Sequence, residues 1–264
     1  MDFTIITPSL NYGRFLADCL ASVASQTGVT FEHLVLDGGS TDDSAEVAAR
    51  FPHIRWTSGK DAGMSDAINR GFDRAKGDWV IWLNADDRLK AGALAGMLDY
   101  LRTTNADVVY GDYDFVDKDG AFLRHMKVPR WSAFVHIWHH CYVPSTAAFY
   151  RKTSVLNEGH RLREDFRYVM DGEFYARLHA QGKTFVHVPV NVADFRMHGA
   201  NASQRHLQTK GMDAIVAAEL QHVESRAIRR AYGFAGFKDP YLTGLVDGVL
   251  SVASRGWKAV LKLR

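Results

Sequence analysis

The stretch Trp79-Val-Ile-Trp-Leu-Asn-Ala-Asp-Asp87 decides the fold of this chain. Its first five residues are all apolar, which is typical of a strand covered on both faces at the centre of a parallel sheet. The stretch then ends abruptly in an amide and two carboxylates. In doubly wound sheets, ligands lie beyond the carboxyl ends of the strands. The stretch therefore predicts both the middle of an α/β sheet and one side of a binding site.

Shorter apolar runs on either side of this stretch predict the remaining strands. They alternate with segments whose apolar residues recur at helical spacing, such as Leu16, Cys19, Leu20 and Val23. This alternation predicts a doubly wound, mostly parallel α/β sheet flanked by helices. We expect strands at 3–7, 31–36, 54–57, 108–110, 146–150 and 184–188, a hairpin pairing 113–116 with 122–126, and helices at 64–75, about 171–181 and roughly 203–230.

The composition is that of a folded domain rather than a disordered chain. The chain has 264 residues, of which 47% are hydrophobic and 23% charged, which suits one α/β domain with an appendage. A net charge of +2 gives no indication of nucleic-acid binding. Two cysteines, Cys19 and Cys141, exclude a disulfide framework and a four-thiolate zinc site. With no basic leader and no apolar run of about 20 residues, we expect a cytoplasmic protein.

Basic charge is concentrated at the C-terminal end. Residues 225–264 hold eight lysines and arginines against two aspartates, so this segment carries +6 and the rest of the chain −4. Apolar residues of 242–261 follow helical spacing, while Arg255, Lys258 and Lys262 lie on another face. A basic amphipathic helix with a tryptophan is typical of contact with an anionic membrane surface, here the inner face. The alternative is that the helix docks on the catalytic domain or on a second copy in a homodimer.

Polar residues follow all four strands of the first half of the sheet. These strand ends are Thr7–Asn11, Asp37–Ser40, Lys60–Gly63 and Asn84–Asp87. Turn chemistry explains any one of them, but four at the same edge of a sheet favour a binding site.

The acids at this edge indicate the kind of ligand. The chain has neither G-x-G-x-x-G nor a Walker loop, so a bound pyrophosphate would need a cation to balance its charge. Asp86 and Asp87 offer the oxygen ligands that Mg²⁺ and Mn²⁺ prefer.

Four motifs in order carry a resemblance to a known family. T-P-S-x-N, D-G-G-S-T-D, D-A-G-M-S-D-A-I-N-R-G and L-N-A-D-D together resemble the family-2 glycosyltransferases with the GT-A fold. The resemblance implies a catalytic domain at 1–200, with a nucleotide half at about 1–112 and an acceptor half at about 113–200, and a helical extension at 201–264. It implies inverting transfer of a sugar from a nucleoside diphosphate, most commonly UDP, to a hydroxyl of a surface glycan or a lipid-linked glycan.

The resemblance also implies roles for individual residues. Asp37 would receive the N–H of the base, and Asp86 would be the principal Mn²⁺ or Mg²⁺ ligand, because Asn84 stands where the family has its first acid. The residues implied to bind the donor nucleotide are Thr7, Pro8, Ser9, Asn11, Asp37, Gly38, Ser40, Asp42, Asp61, Gly63, Asn84 and Ala85. Those implied near the donor sugar or acceptor are Asp66, Asn69, Asp87, Ser145, Glu173 and Arg196.

Two later segments resemble further parts of the family pattern. In 170–178, Asp171 matches the base that removes the proton of the acceptor hydroxyl; Glu173 is the alternative base, and capping the helix is the structural role open to Asp171. In 195–203, His198 matches a histidine that reaches the metal or the diphosphate in some relatives, and a purely structural histidine is the alternative. Arg196 is predicted to contact the diphosphate, and a solvated or ion-paired arginine is the alternative.

The run His136-Ile-Trp-His-His-Cys141 raises the question of zinc, but no partner pair of ligands accompanies it. It leads towards the segment that lies near the acceptor in relatives. Two roles stay open for the neighbouring aromatic rings: stacking on a sugar or lipid-linked acceptor, and ordinary packing within the protein. These rings belong to Trp131, Trp138, His139 and Tyr142.

Two rival functions stay open. A sugar-1-phosphate nucleotidyltransferase would begin with a glycine-rich basic loop, which Thr7–Asn11 is not. A non-catalytic nucleotide-sugar-binding module is favoured by Asn84 and disfavoured by the presence of both Asp86 and Asp171.

Overall fold

The computed structural model of the chain describes residues 1–139, 141–199, 212–233, 249–250 and 252–258. Its strands are β1 Phe3–Ser9, β2 Phe31–Asp37, β3 Ile54–Ser58, β4 Trp79–Trp82, β5 Arg88–Leu89, β6 Val108–Val116, β7 Phe122–Met126, β8 Ala148–Arg151 and β9 Phe185–Arg196. Its helices of the α type are α1 Gly13–Ala24, α2 Ser44–Ala48, α3 Met64–Arg74, α4 Ala93–Thr103, α5 Ala133–Trp138, α6 Met170–Ala180 and α7 Met212–Tyr232.

The strands of the described part form one mixed sheet in the order β3-β2-β1-β4-β8-β6-β9-β5, with β7 paired to β6. The first four strands are parallel to one another. Strand β8 runs antiparallel between β4 and β6, and β9 is again parallel to β6. The predicted mostly parallel α/β sheet is confirmed, and the order brings the ends of β1, β2 and β4 to one edge.

The central strand is buried on both faces, as its sequence predicts. Val80 and Trp82 belong to the core on the side of α3 and α6. Trp79, Ile81 and Leu83 belong to the core on the side of α1 and α4. Each face of β4 therefore contacts a separate layer of helices.

Residues 108–196 differ most from the predicted elements. Residues 108–116 form one strand rather than two pieces, and β9 continues to Arg196, eight residues beyond the predicted end. Both strands are long because they pair along their length, with register shifts on either side of Asp112 that break the simple alternation of side chains. The predicted strand at 146–150 begins at Ala148, because Ser145–Ala147 forms a 3₁₀ turn.

Helices at the C-terminal side are only partly comparable with prediction. The predicted helix at 203–230 is present as α7, while residues 203–211 lie outside the described part. Of the predicted helix at 242–261, residues 249–250 and 252–258 are described and are helical. Within the described residues, we find no helix with the length and apolar character that crossing a membrane requires.

Candidate active site

A cavity of about 110 Å³ lies at the carboxyl edge of the sheet. Its wall includes Pro8 after β1, Asn84–Asp86 after β4, Ser145, and Asp171 on α6. Residues predicted from separate motifs are thus brought together around one space. Arg167 and Tyr168, which no motif indicated, also line it.

A second, smaller cavity of about 70 Å³ lies beside the end of β2. Asp37 forms one wall, and its buried carboxylate accepts hydrogen bonds from the Ser58 hydroxyl at 2.5 Å and the Ser40 backbone N–H at 3.0 Å. Asp61 and Arg70 also line this cavity. The cavity is therefore polar, with an oriented carboxylate and a guanidinium on its wall.

The loops after β1 and β2 are tied together by their own polar groups. Asn11, in the left-handed region at φ 57°, donates its backbone N–H to Ser40 Oγ at 2.7 Å and accepts from the Thr41 backbone N–H at 2.8 Å. Asp42 accepts from the Gly13 backbone N–H at 2.9 Å. These hydrogen bonds fix the conformation of the two loops at this edge of the sheet.

Thr7 and Ser9, both predicted to bind the nucleotide, differ in whether their hydroxyl groups have a hydrogen-bond partner. Thr7 is buried, with its hydroxyl 2.9 Å from His33 Nε2. Ser9 Oγ is buried and lacks a hydrogen-bond partner in the described part of the chain. A buried hydroxyl of this kind is costly without a partner, and Ser9 is not among the residues that line either cavity.

The side chain of Asn84 lies between two neighbours. Its carbonyl oxygen accepts from the Trp82 indole N–H at 2.7 Å, and its amide donates to Asp87 at 3.1 Å. Asp87 also accepts the Arg196 backbone N–H at 2.9 Å. Burial, reinforced by the nearby charge of Asp86, raises the pKa of Asp87 well above its usual value. Asp87 is therefore a buried structural acid behind the site.

Asp86 and His198 form the pair most suited to a metal. His198 Nε2 lies 2.8 Å from Asp86 Oδ2, and its ring packs 4.5 Å from Phe15. A carboxylate oxygen and an imidazole nitrogen are both donors that Mn²⁺ accepts. Among the described residues no group of three or more histidines, cysteines and acids is gathered to hold a metal. The pair thus fits an ion whose remaining ligands would come from groups other than the described side chains.

Arg196 is held inside the protein rather than at the cavity surface. Only 2% of it is exposed, and its guanidinium donates to the Asp86 backbone oxygen at 2.9 Å and to Asp18 at 2.7 Å. It also lies 5.2 Å from the ring centre of Phe15. These contacts correspond to the ion-paired alternative and fix the loop that carries Asp86.

Asp171 occupies the first turn of α6 and faces the cavity. The cap position belongs to Val169, so Asp171 is not the helix cap. Burial raises the pKa of Asp171, although the Gly172 backbone N–H, which donates to its carboxylate at 2.8 Å, and the neighbouring Cys141 side chain both act to lower it. A carboxyl group with a raised pKa in a cavity is suited to accepting a proton.

The alternative base, Glu173, has other partners. It is fully buried, forms two contacts of 2.9 and 3.0 Å with Arg177, and accepts from the Tyr232 hydroxyl at 2.8 Å. It does not line the cavity. The geometry therefore favours Asp171 over Glu173 as the reacting acid.

The remaining predicted residues lie on α3 and on its N-terminal side. Asp66 pairs with Arg70 at 2.7 Å and accepts the Ala62 backbone N–H at 2.9 Å. Asn69 exchanges two hydrogen bonds, of 2.8 and 2.9 Å, with the backbone of Leu162. Gly63 precedes α3 with φ 125°, a value that glycine tolerates and other residues do not. None of these three predicted residues lines the 110 Å³ cavity.

The aromatic and histidine run packs largely within the protein. Trp131 stacks on Phe185 with ring centres 4.0 Å apart, and Trp138 and Tyr142 are buried. The His136 ring lies with Nε2 2.8 Å from the Gly172 carbonyl oxygen, and burial lowers its pKa to about 4. Through His136, this segment packs against α6. His140 lies outside the described residues.

Comparison with known proteins identifies the class of fold and then the family. The crystal structure of TarS residues 1–349 from S. aureus, in complex with UDP-GlcNAc, superposes with a TM-score of 0.64 at 13% identity, over 98% of this chain and 80% of that one. The mannosyltransferase PcManGT from Pyrobaculum calidifontis, in complex with GDP-Man and Mn²⁺, gives 0.58 at 16% identity, over 98% and 84%. The fold is GT-A. The profile of glycosyl transferase family 2 matches residues 4–162, and the chain belongs to this family.

Curated relatives share part of this chain. A PGL/p-HBAD biosynthesis glycosyltransferase of Mycobacterium tuberculosis is 41% identical over 117 residues, which cover 42% of this chain and 46% of that protein. The glycosyltransferase GlyG of Streptococcus pneumoniae is 29% identical over 125 residues, or 45% of this chain and 42% of that protein. The chain thus spans less than half the length of these relatives.

Proposed function

We propose that this protein is an inverting glycosyltransferase that moves a sugar from a UDP-sugar to an acceptor hydroxyl. The observation that carries the proposal is that Asp86 and Asp171 line one cavity, with the Asp37 cavity beside the same sheet edge. This arrangement offers separate places for a diphosphate, a reacting hydroxyl and a base. The family of the chain and its neighbours that bind nucleotide sugars support this assignment.

The donor nucleotide is proposed to enter the 70 Å³ cavity. Asp37 would accept the N–H of the base, as a carboxylate already oriented by Ser58 and Ser40 can do.

The cofactor is proposed to be Mn²⁺ or Mg²⁺, held by Asp86 and His198. When bound, such an ion supplies positive charge to the diphosphate and stabilises it as a leaving group. Asp86 and His198 contribute a fixed carboxylate and a fixed imidazole, because Arg196 and Phe15 hold their two loops in place.

Asp171 is proposed as the general base. Its ionised carboxylate takes the proton of the acceptor hydroxyl while that oxygen forms a bond to the anomeric carbon. The bond from that carbon to the diphosphate breaks on the opposite face, so the configuration inverts. A raised pKa brings Asp171 closer to the working pH, which improves a general base.

The test is nucleoside diphosphate release by the full chain with a panel of UDP- and GDP-sugars and Mn²⁺, first in water and then with membrane extracts as acceptor. We expect release from a UDP-sugar that Asp86→Ala abolishes. The control is Asp99→Ala, which removes an exposed acid on α4. Retained anomeric configuration in the product, read by NMR, would contradict the inverting mechanism.

The same assay separates the rival functions. Tight donor binding in calorimetry without release under any acceptor would support a non-catalytic binding module. Formation of a nucleoside triphosphate when pyrophosphate is added would support a sugar-1-phosphate nucleotidyltransferase.

We further propose that the protein is cytoplasmic and meets an anionic membrane surface through its C-terminal helix, near a surface-glycan or lipid-linked acceptor. Val249, Val252 and Trp257 are exposed there, with Trp257 46% exposed, and Arg255 is exposed beside them. The opposite side of the helix contacts the catalytic domain, since Lys258 Nζ lies 5.3 Å from the ring centre of Tyr142. Docking and membrane contact are therefore compatible.

Vesicle sedimentation tests this contact. We expect the full chain to bind vesicles of anionic lipid in low salt and to lose most binding on Trp257→Ala. Tyr100→Ala, at an exposed aromatic residue on α4, is the matched control. Equal binding by both variants would contradict the proposed surface, and a dimer seen only without vesicles would support the homodimer alternative.

A further inference from the structure

Helix α7 contacts the turn that carries Asp171, although it lies beyond residue 162, where the family match ends. Its contacting residues, Glu224, Ile228 and Tyr232, are four apart and share one face of the helix. This face is built against α6 rather than left to solvent, because Glu224 and Ile228 are both buried.

Glu224 accepts three consecutive backbone N–H groups. Oε1 accepts from Arg167 at 2.8 Å, and Oε2 accepts from Tyr168 at 2.9 Å and Val169 at 3.1 Å. These amides lead directly into α6, where the first N–H groups of a helix lack partners within it. A carboxylate at this end is also favoured by the helix dipole. With 8% of the residue exposed, the contact is shielded from water.

The other side of Asp171 is held by the same helix. A Cβ atom at Gly172 would lie 3.7 Å from Ile228 Cδ1, so Ile228 packs directly against this glycine. The Tyr232 hydroxyl donates to Glu173 at 2.8 Å. Helix α7 therefore contacts the chain on both sides of the proposed base.

We propose that Glu224 is a positioning residue for the active site. By fixing the backbone of 167–169, it sets where Arg167 and Tyr168 line the cavity and how Asp171 faces Asp86. The proposal rests on the function proposed above. By this proposal, α7 belongs to the catalytic unit. A domain boundary at residue 200 would separate α7 from the site that it supports.

The proposal predicts a particular pattern of kinetic loss. In Glu224→Gln, the amide NH₂ replaces one acceptor and faces a backbone donor, so the turn must shift. A displacement of about 1 Å at a reacting group lowers the rate about a hundredfold. The Asp37 cavity does not include this turn, whereas Arg167 and Tyr168 line the cavity of Asp86 and Asp171. We therefore expect kcat to fall tenfold or more and the KM for the donor to change less than kcat does.

The experiment compares wild type, Glu224→Gln and Glu224→Asp, with Glu219→Gln as control at an exposed acid on the same helix. Full chains are measured for kcat, KM, the pH profile of kcat, and hydrogen exchange of amides 167–172. We expect faster exchange, lower kcat and a shifted acid limb in Glu224→Gln, partial recovery in Glu224→Asp, and no change in Glu219→Gln.

Two outcomes would overturn the proposal. Unchanged exchange of amides 167–169 in Glu224→Gln would contradict the contact itself, whether or not the protein has activity. Faster exchange with unchanged kcat and pH profile would contradict the positioning role. If Glu224→Gln does not fold, the same comparisons are made on Glu224→Asp. If the wild-type chain releases no nucleoside diphosphate, the proposed function is contradicted instead. The exchange of amides 167–169 then still tests the contact made by Glu224.

Discussion

Replacing Asp171 by asparagine removes the proposed base with very little change in shape. The new side chain retains an oxygen that can accept the Gly172 backbone N–H, now 2.8 Å from Asp171 Oδ1. It cannot take a proton from an acceptor hydroxyl at working pH. Cavity volume and donor contacts should stay as they are, because the Asp37 cavity is formed by other elements.

The size of the expected loss follows from the role. General base catalysis by a positioned side chain contributes about 10²- to 10⁴-fold in rate, or about 3–5 kcal/mol of transition-state stabilisation. We therefore expect kcat of Asp171→Asn to fall by about that factor, while the Kd of the donor stays within about twofold.

The raised pKa of Asp171 adds a pH dependence with a definite sign. The base works only when ionised, so wild-type kcat should fall on the acid side at a pH above the usual 3.8 of an aspartate. The folded state also holds this proton more tightly than the unfolded state does. The stabilisation that protonated Asp171 contributes is therefore present below about pH 3.8, and it is lost as the pH rises through the pKa of Asp171 in the folded state.

Stability and activity should consequently move in opposite directions. At pH 7 the half-buried, ionised Asp171 opposes folding, so Asp171→Asn should raise Tm while abolishing most transfer. The gain in Tm should shrink below pH 4, where wild-type Asp171 is protonated.

The assay measures product formation, donor Kd by calorimetry and Tm at several pH values. Asp99→Asn, at an exposed acid on α4, is the control and should change none of them. Turnover within a factor of three of wild type in Asp171→Asn would refute the assignment of the base. A lower Tm at pH 7 would refute the account of its burial.

Three further predictions concern the nucleotide cavity, the metal and the sheet. Gly38→Ala would place Cβ 2.8 Å from Asp61 Oδ2, so the nucleotide Kd should rise about tenfold, or ~1.4 kcal/mol, in calorimetry; an unchanged Kd would contradict the assignment of that cavity. His198→Ala removes the nitrogen beside Asp86, so the Mn²⁺ concentration for half-maximal turnover should rise about tenfold, and an unchanged requirement would remove His198 from the metal site. Gly77→Ala would place Cβ 2.3 Å from a backbone atom of β1, so urea titration should show a loss of about 3 kcal/mol; a loss below about 1 kcal/mol would contradict this close contact.

Much of the fold follows from local pattern. The apolar run before Asn84 predicts a central strand, and β4 is buried on both faces. Motifs at strand ends predict convergence, because parallel neighbours such as β1 and β2 end in register, with Ser9 opposite Asp37. Period and turn chemistry are properties of short segments, so one sequence contains the information to predict them.

Contacts between distant segments are not readable in this way. Arg196 ends strand β9 and is predicted to contact the diphosphate, but its guanidinium pairs with Asp18, 178 positions away. Glu224 lies 57 positions from Arg167, on a helix without a family motif. A single buried acid on an amphipathic helix has the same pattern as a solvated one, so only the packing of α7 reveals its partners.

Asn84 is the strongest sequence argument for a non-catalytic module. Its surroundings in the structure explain why an amide stands at this position. Its amide accepts from the Trp82 indole and donates to Asp87, a pair of roles that an ionised carboxylate cannot fill. An acid at this position would add a third negative charge beside Asp86 and Asp87, where burial and repulsion already raise the pKa of Asp87. The amide instead stabilises the ionised form of Asp87, which accepts the Arg196 backbone N–H and so supports the loop leading to His198. The departure at residue 84 is therefore explained by the neighbouring acid, and it gives no independent support to a loss of catalysis.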